Sequence, residues 1–437
     1  MDARASSASA ATSRPTSYRW LQLVIGIVCM AMVANLQYGW TLFVNPMHDK
    51  MHWSTAEIQV AFSIFVLTET WLVPVEGWLM DKFGPRPVVL AGGILAGLSW
   101  VMNSYATSLE MLYFSAVVAG VGAGCVYGTC VANSLKWFPD KRGLAAGLTA
   151  AGFGAGAALT VIPISGMIHS SGYQSAFFTF GWIQGAVIFV ASLFLIRPPI
   201  GKFAAVASKA NPTTKRDYTP GEMMRTPVFW LLYLAFVLVA AGGLMAAAQV
   251  APIANDYGIA KVPISILTAT MPLLTITLII DNLANGFTRP LTGWISDNIG
   301  RENTMLLVFL RSGVAQLGLM YFGRAPIGFI VFAPLIFLCY GEIFSIFPAV
   351  VGDTFGSKFA GANNGFMYTA KGTASLLVPL ASVLKATTGS WVAVLWVAAI
   401  MGIVAGLLAK FVIMPMRVRW LEKQQAVPAP ATAMQAA

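Results

Sequence analysis

Long apolar segments, separated by short polar stretches, dominate this chain. The first covers residues 20–44, and eleven more lie near residues 57–79, 87–105, 111–135, 144–168, 174–196, 228–253, 268–296, 303–322, 326–352, 361–386 and 390–414. A helix needs about 20 apolar residues to cross a bilayer, whereas a strand of a membrane barrel alternates over about 10. The pattern therefore predicts an all-α membrane protein with twelve transmembrane helices.

The composition excludes the soluble alternatives. Of the 437 residues, 57% are hydrophobic and 10% are charged, and the mean hydropathy is +0.72. Soluble proteins carry about 25% charged residues, so a soluble globular domain or a disordered chain is not expected. The net charge of +10 does not indicate nucleic-acid binding, because cations of membrane proteins collect in cytoplasmic loops.

The loop charges predict an orientation. With both termini inside, 20 of the Lys and Arg residues fall on the cytoplasmic side and four on the other side. We therefore expect a multi-pass protein of the plasma membrane, such as a bacterial inner membrane, with cytoplasmic termini.

A long polar connection divides the chain into halves. The predicted parts are a cytoplasmic tail (1–19), a first six-helix bundle (20–196), a cytoplasmic linker (197–227), a second six-helix bundle (228–414) and a second cytoplasmic tail (415–437). A short motif recurs at an offset of 216 residues, once in each half. Parallel six-helix repeats place a substrate site near the membrane midplane, between the halves.

This repeated motif resembles the signature loop of the major facilitator superfamily. The residues that carry the resemblance are Gly77, Asp81, Gly84 and Arg86 in the first copy, and Gly293, Asp297, Gly300 and Arg301 in the second. The second copy departs slightly, because Arg301 directly follows Gly300. The resemblance implies alternating access, with these loops latching the cytoplasmic helix ends. Glycine permits close helix approach, and a carboxylate can lie against a helix N-terminus, so we interpret Asp81 and Arg86 as conformational parts.

Three cations lie inside predicted helices: Arg289, Arg311 and Lys371. Each costs roughly 2.5–3.5 kcal/mol to insert. By helical rise, Arg289 lies about 12 Å and Lys371 about 15 Å from the cytoplasmic helix ends. Two cations at one depth repel each other unless an anion lies between them, so we predict that these two bind an anionic substrate. Snorkelling or internal pairing is the alternative for each.

Carboxylates in the same helices leave other possibilities open. We expect Glu342 to neutralise Arg311 as a structural pair; if it turns to the cavity instead, it could pair with Lys371 or carry a proton. Glu69 and Asp281 are further candidates for proton coupling. Asp281 is rotated about 80° around its helix from Arg289, so no direct pair between them is expected.

Donors in the first half could complete an anion cage. These are Gln37, Tyr38 and Tyr127, although a membrane tyrosine is more often a packing or interface residue. A narrower resemblance points to the oxalate/formate antiporter family. It is carried by the segment 285–294 around Arg289, by the segment 368–371 ending in Lys371, and by Gln37 with Tyr38. The resemblance implies that the arginine and the lysine hold the two carboxylates of oxalate within an aromatic cage.

Two places depart from that family. Phe153, Tyr340 and Phe344 stand where a different set of cage aromatics is expected, and Glu342 adds a negative charge. The sequence therefore leaves open that the substrate is a small organic anion other than oxalate.

We accordingly predict a secondary active transporter of small carboxylates, with oxalate:formate-type exchange. The alternatives are a proton-coupled monocarboxylate symporter and an anion-binding membrane sensor. No catalytic motif is present, so no enzyme, cofactor or metal site is predicted. The expected partners are small carboxylate anions and the lipid bilayer, not nucleic acid, and we expect a monomer.

Overall fold

The computed structural model describes residues 17–199, 210–266 and 269–426. The helices of the first half are α1 (Tyr18–Val33), α2 (Asn35–Tyr38), α3 (Thr41–Met51), α4 (Thr55–Trp71), α5 (Val73–Phe83), α6 (Pro85–Ser104), α7 (Leu109–Trp137) and α8 (Arg142–Ser192). The helices that follow are α9 (Pro220–Met224), α10 (Pro227–Asp256), α11 (Leu273–Ile299), α12 (Arg301–Phe322), α13 (Pro326–Phe355), α14 (Ala360–Ser375), α15 (Pro379–Thr388), α16 (Trp391–Leu408) and α17 (Met414–Ala426).

Several membrane spans are built from more than one helix. The first consists of α1 and α2, and the second consists of α4 and α5, which meet at a bend of 43°. The fifth and sixth are the two parts of α8, which is interrupted at Gly172 with φ 84° and ψ 161°. The eleventh joins α14 and α15, and in the twelfth a π-helical turn at Ala409–Ile413 links α16 to α17. The twelve predicted spans in two six-helix bundles are confirmed.

Apolar length alone does not reveal all of these spans. Within the described residues, eight helices are long and apolar enough to cross a membrane, or nine if the bent pair α4 and α5 is one span. The spans that fall short include α11, which carries Asp281 and Arg289, and α14, which carries Lys371. Polar residues in membrane spans are expensive and mark functional surfaces.

One expected helix begins later than its apolar run. Residues from 268 onward were predicted to be helical, but two short antiparallel strands, β1 (Pro263–Ile266) and β2 (Ala269–Pro272), precede α11. Pro263 pairs with Pro272. The prediction was wrong here because residues 269–272 are mostly apolar, and periodicity cannot distinguish a short apolar strand from a helix.

The linker is attached to the second bundle. The Asp217 carboxylate accepts hydrogen bonds from the backbone N–H groups of Ser357 and Lys358, both at 2.9 Å. Helix α9 then begins with a capping box, in which the Thr219 hydroxyl and N–H bond to Glu222 and hold the pKa of that carboxyl below its usual range. The last helix continues to Ala426, into the segment assigned to the C-terminal tail.

The two bundles meet through glycine contacts beside the repeated motif. A Cβ on Gly77 would lie 2.1 Å from the Gly361 carbonyl oxygen, and a Cβ on Gly293 would lie 2.0 Å from that of Gly143. Each contact joins a helix of one bundle to a helix of the other. We call this end of the molecule, which carries Asp81 and Asp297, the motif end.

Candidate functional site

Arg289 lies in the interface between the bundles. It projects from α11 and is 1% exposed. Its guanidinium donates to the Asn285 side-chain oxygen at 2.7 Å and to the Ala150 carbonyl of α8 at 2.9 Å. Among the described residues no carboxylate forms an ion pair with it, and its Nε has no hydrogen-bond partner. The arginine is therefore held in place by neutral acceptors, with its charge uncompensated.

Lys371 has a carboxylate partner. Its Nζ lies 3.2 Å from Glu69 Oε2 and 3.5 Å from Oε1. The internal pairing that was left open as the alternative for this lysine is observed here, because the fully buried Glu69 reaches it from α4 in the other bundle. Tyr368 adds its hydroxyl, 3.0 Å from the lysine and 3.3 Å from Glu69.

Phe344 of α13 lies between the two cations. The Arg289 Cζ is 4.8 Å from the centre of its ring, and the Lys371 Nζ is 5.9 Å from it. Both distances fall within the range of cation–π attraction, about 6 Å. Both cations therefore lie against the same aromatic ring.

Aromatic residues from both bundles enclose this centre. Tyr127 packs on Tyr368, with ring centres 4.8 Å apart, and on Phe153 at 5.3 Å. Tyr38 packs on Phe153 at 5.5 Å. Tyr127 and Tyr38 thus belong to a series of ring contacts that reaches Tyr368. Phe153 and Phe344, which depart from the expected aromatic set, belong to it as well.

Gln37 is close to Tyr38 in α2, with a buried side-chain oxygen that has no hydrogen-bond partner among the described residues. Its side-chain amide makes no contact with Arg289 or Lys371 within that part of the chain. The structure therefore does not bring Gln37 into the same cluster as the two cations.

Little free space is left around the cluster. A cavity of about 10 Å³ is lined by Tyr127, Phe344, Asn364 and Tyr368, together with neighbouring apolar side chains. A cavity of this size holds at most one water molecule. This cavity therefore admits no carboxylate in the described conformation, and a substrate would need the bundles to separate there.

The pair of Arg311 and Glu342 is formed as expected. Glu342 is 1% exposed and also accepts hydrogen bonds from Thr288 at 2.8 Å and Thr292 at 2.9 Å. Glu342 therefore faces its own bundle, and the alternative pairing with Lys371 is not observed.

Two more carboxyl groups are buried in the spans. Asp281 is 0% exposed, and neither of its oxygens has a hydrogen-bond partner among the described residues. Glu76 of α5 is 3% exposed and lies against Gly124, with the Cys125 thiol as its polar neighbour. Burying a carboxyl without a donor is costly, and among the described residues neither group pairs with Arg289 or Lys371.

The repeated motif closes the motif end as predicted. Asp81 accepts the backbone N–H groups of Gly361 and Ala362, at 3.2 and 3.0 Å. Asp297 accepts those of Gly143 and Leu144, both at 2.9 Å. Each carboxylate thus caps the first turn of a helix in the opposite bundle, where the helix dipole favours negative charge.

The basic residues of the two copies are not equivalent. Arg301 is buried and binds both Asp297 and Asp353 at 2.7 Å. Arg86 is exposed, and Lys136 binds Asp81 at 2.6 Å. Arg86 therefore does not take the position that Arg301 has in the second copy. The different spacing after Gly84 and Gly300 explains this, because it moves the arginine to another face of the helix.

Gly84 and Gly300 have a common structural function. Their φ angles are +96° and +99°, in the region that glycine adopts most readily. Each allows the chain to turn directly from one span into the next.

Two broken six-helix bundles with a polar, charged centre between them define a membrane transporter that works by alternating access. The profile of the Major Facilitator Superfamily matches residues 23–281 and 280–436. The chain belongs to this family.

Known proteins support the assignment. The chain is 36% identical over 396 residues to the oxalate:formate antiporter of Oxalobacter formigenes, covering 90% of this chain and 91% of that protein. It is 25% identical over 385 residues to monocarboxylate transporter 13 of Bos taurus, covering 86% and 84% respectively. The fucose:proton symporter of E. coli has the same fold, with a TM-score of 0.66, 13% identity, and coverage of 89% of this chain and 97% of that one.

Sequence reasoning missed two residues of this region. Tyr368 contacts both Lys371 and Glu69, and its position three residues before the lysine places it on the same helical face. Glu76 is a buried membrane carboxyl that lies seven residues after Glu69. The helical period could have revealed both.

Proposed function

We propose that the protein exchanges small carboxylates across the membrane by alternating access, with oxalate and formate as the substrate pair. The observation that carries this proposal is Arg289, a buried cation in the bundle interface without a carboxylate partner among the described residues. The name of the Oxalobacter relative, which covers most of this chain, supports the substrate pair.

An anion stabilises this arginine in a way that the protein itself does not. A buried unpaired charge is costly, and its energy falls when a counter-ion enters. A carboxylate matches the planar guanidinium fork, and the Nε of Arg289 is available as a donor. Phe344 and the surrounding tyrosines favour a small, planar anion over a large or strongly hydrated one.

The motif end is proposed to face the cytoplasm. It carries the linker and most of the loop cations, as the positive-inside rule requires. The Asp81 and Asp297 contacts close this end, so a substrate would reach the centre from the opposite side after the bundles separate there. We expect a bacterial inner-membrane protein that acts as a monomer, since one chain supplies both sides of the site.

A proton-coupled monocarboxylate symporter is the second candidate. Asp281, which is buried without a donor among the described residues, is the observation that favours it. Uptake that requires a pH gradient and no internal anion would identify symport. Uptake that requires an internal anion identifies exchange.

The test is oxalate uptake into proteoliposomes loaded with formate. Arg289→Gln should reduce the uptake rate at low oxalate by about 30-fold or more, because removing one partner of a buried charge pair costs about 2 kcal/mol or more. Lys371→Gln should also reduce it. Arg324→Gln and Lys385→Gln are matched controls, because Arg324 lies in the turn between α12 and α13 beside Tyr257, and Lys385 lies near the end of α15, where it pairs with the exposed Asp256. Parental rates in Arg289→Gln and Lys371→Gln would refute the site assignment.

A further inference from the structure

A groove lies on the surface of the last helices, at the motif end. The π-helical turn at Ala409–Ile413 joins α16 to α17 there, and Pro415 lies just beyond it. A proline inside a helix cannot donate to the carbonyl four residues earlier, and its ring clashes with that carbonyl, which accounts for the wider turn. The groove beside this turn has a volume of about 440 Å³.

The groove has an apolar wall and a basic rim. The wall consists of Phe411, Val412, Pro415, Met416 and Trp420, and the rim consists of Arg419 and Lys423. Arg419 and Lys423 are four residues apart, so they lie on one face of α17. Phe411 is 67% exposed, and both cations are exposed as well. The groove therefore combines an open apolar surface with two neighbouring positive charges.

Neither cation of the rim is neutralised by the part of the chain that the structure describes. No carboxylate there lies within ion-pair distance of Arg419 or Lys423, and Glu422 of the same helix does not line the groove. Arg417 differs from them, because it is fully buried and binds Glu302 at 2.5 Å. The rim thus presents two positive charges to a ligand from outside the chain.

Helix α17 is fixed to the second bundle and to the linker. Arg417 donates to the Pro212 carbonyl at 3.1 Å. Trp420 packs on Tyr218 and Phe355, with ring centres 5.1 and 5.8 Å away, and it also lines the groove. These contacts hold the backbone that carries the rim, so a ligand in the groove meets cations at fixed positions.

A second groove, at the opposite end of the molecule, lacks such a rim. It has a volume of about 480 Å³, lies along the ends of α12 and α13, and contains one cation, Arg324. The guanidinium of Arg324 lies 5.6 Å from the centre of the Tyr257 ring, which already binds it. Apolar surface is therefore common to the two grooves, and the paired, unneutralised cations distinguish the groove on α17.

We infer that the groove on α17 binds one anionic phospholipid. The lipid phosphate lies between Arg419 and Lys423, and an acyl chain lies along the apolar wall. Arginine and lysine both bind phosphate, and basic residues beside a membrane attract anionic lipid. A zwitterionic lipid gains less, because its own ammonium group offsets the phosphate charge. This inference concerns the surface of the second bundle and does not depend on which anion is transported.

The test counts the lipids that stay bound to the full chain in native mass spectrometry, during titration with phosphatidylglycerol or phosphatidylcholine in detergent. The parent should bind one phosphatidylglycerol more tightly than any phosphatidylcholine. Arg419→Gln with Lys423→Gln should weaken this binding about 30-fold, since each basic residue beside an anionic lipid contributes roughly fivefold. Lys82→Gln with Lys141→Gln is the matched control, because it removes two exposed cations at the motif end of the first bundle. It should bind lipid as the parent does.

Glycerol 3-phosphate, which carries the phosphate without acyl chains, tests the apolar wall. In large excess it should leave phosphatidylglycerol bound, and displacement would identify a site for soluble phosphates and overturn the inference. Equal affinity for the two lipids, or parental affinity in the groove variant, would overturn it too. A dimer that Phe411→Ser dissociates would show that a second copy of the chain occupies the groove instead.

Should the groove variant not fold, thermal unfolding of the parent decides the question. A ligand that binds only the folded protein raises its unfolding temperature. Phosphatidylglycerol should therefore raise this temperature more than phosphatidylcholine does, and equal shifts would refute the assignment.

Discussion

Adding one methyl group at Gly77 should weaken closure of the motif end. A Cβ there would lie 2.1 Å from the Gly361 carbonyl oxygen and 2.7 Å from the Ala362 nitrogen. Both atoms are backbone, so rotamer changes cannot relieve the clash and the bundles must separate by about 1 Å. Overpacking of this kind costs typically about 1–3 kcal/mol, and the Asp81 contacts with Gly361 and Ala362 should lengthen with it.

That penalty applies only when this end is closed. Gly77→Ala should therefore shift the conformational equilibrium roughly 5- to 150-fold toward the state that is open at the motif end. Spin labels at Lys141→Cys and Asn298→Cys, both exposed and on opposite bundles at this end, should report a longer mean distance. The native cysteines are buried, which restricts labelling to the introduced positions.

The control is Gly166→Ala, because a Cβ at Gly166 meets no heavy atom within 4 Å. It should leave the label distance unchanged while altering helix propensity in the same direction. If Gly77→Ala gave the parental distance distribution, close glycine packing would not be what limits closure. The same experiment on Gly293→Ala tests the symmetric contact, where the Cβ would lie 2.0 Å from the Gly143 carbonyl.

Two further predictions concern the buried ion pairs. Asp353→Asn removes the carboxylate that Arg142 and Arg301 share, each at 2.7 Å. The loss should destabilise the protein by about 3–5 kcal/mol, which thermal unfolding in detergent measures. An unchanged unfolding temperature would contradict this. Glu342→Gln should lower the unfolding temperature but retain exchange, because it disrupts an ion pair within one bundle. Restored stability in the double variant Arg311→Met with Glu342→Met would confirm that the unpaired arginine causes the loss. Loss of exchange at full stability would contradict the prediction.

The charged centre shows how far sequence reasoning reaches. The depth of Arg289 and Lys371 could be calculated from helical rise, since both lie a known number of residues from loop motifs. Their partners could not, because an ion pair such as Glu69 with Lys371 joins residues 302 positions apart. Its formation depends on how far the two bundles approach each other and on how each helix is rotated.

The repeated motif shows the same limit, because its local contacts could be predicted and its distant partner could not. The pattern of glycine and aspartate predicted close approach and helix capping, and both occur. It did not predict that Lys136 binds Asp81, because the two residues lie 55 positions apart and only the packed helices bring them together.

The amino-acid sequence by itself determined the membrane setting, the number of spans, the division into halves and the presence of buried cations, since each follows from hydropathy, length and charge along one chain. The tertiary structure decided which charges are neutralised, which aromatic rings enclose the centre and which end is closed. Those properties depend on distances of a few ångströms between segments far apart in sequence, and electrostatic and packing energies change steeply over such distances.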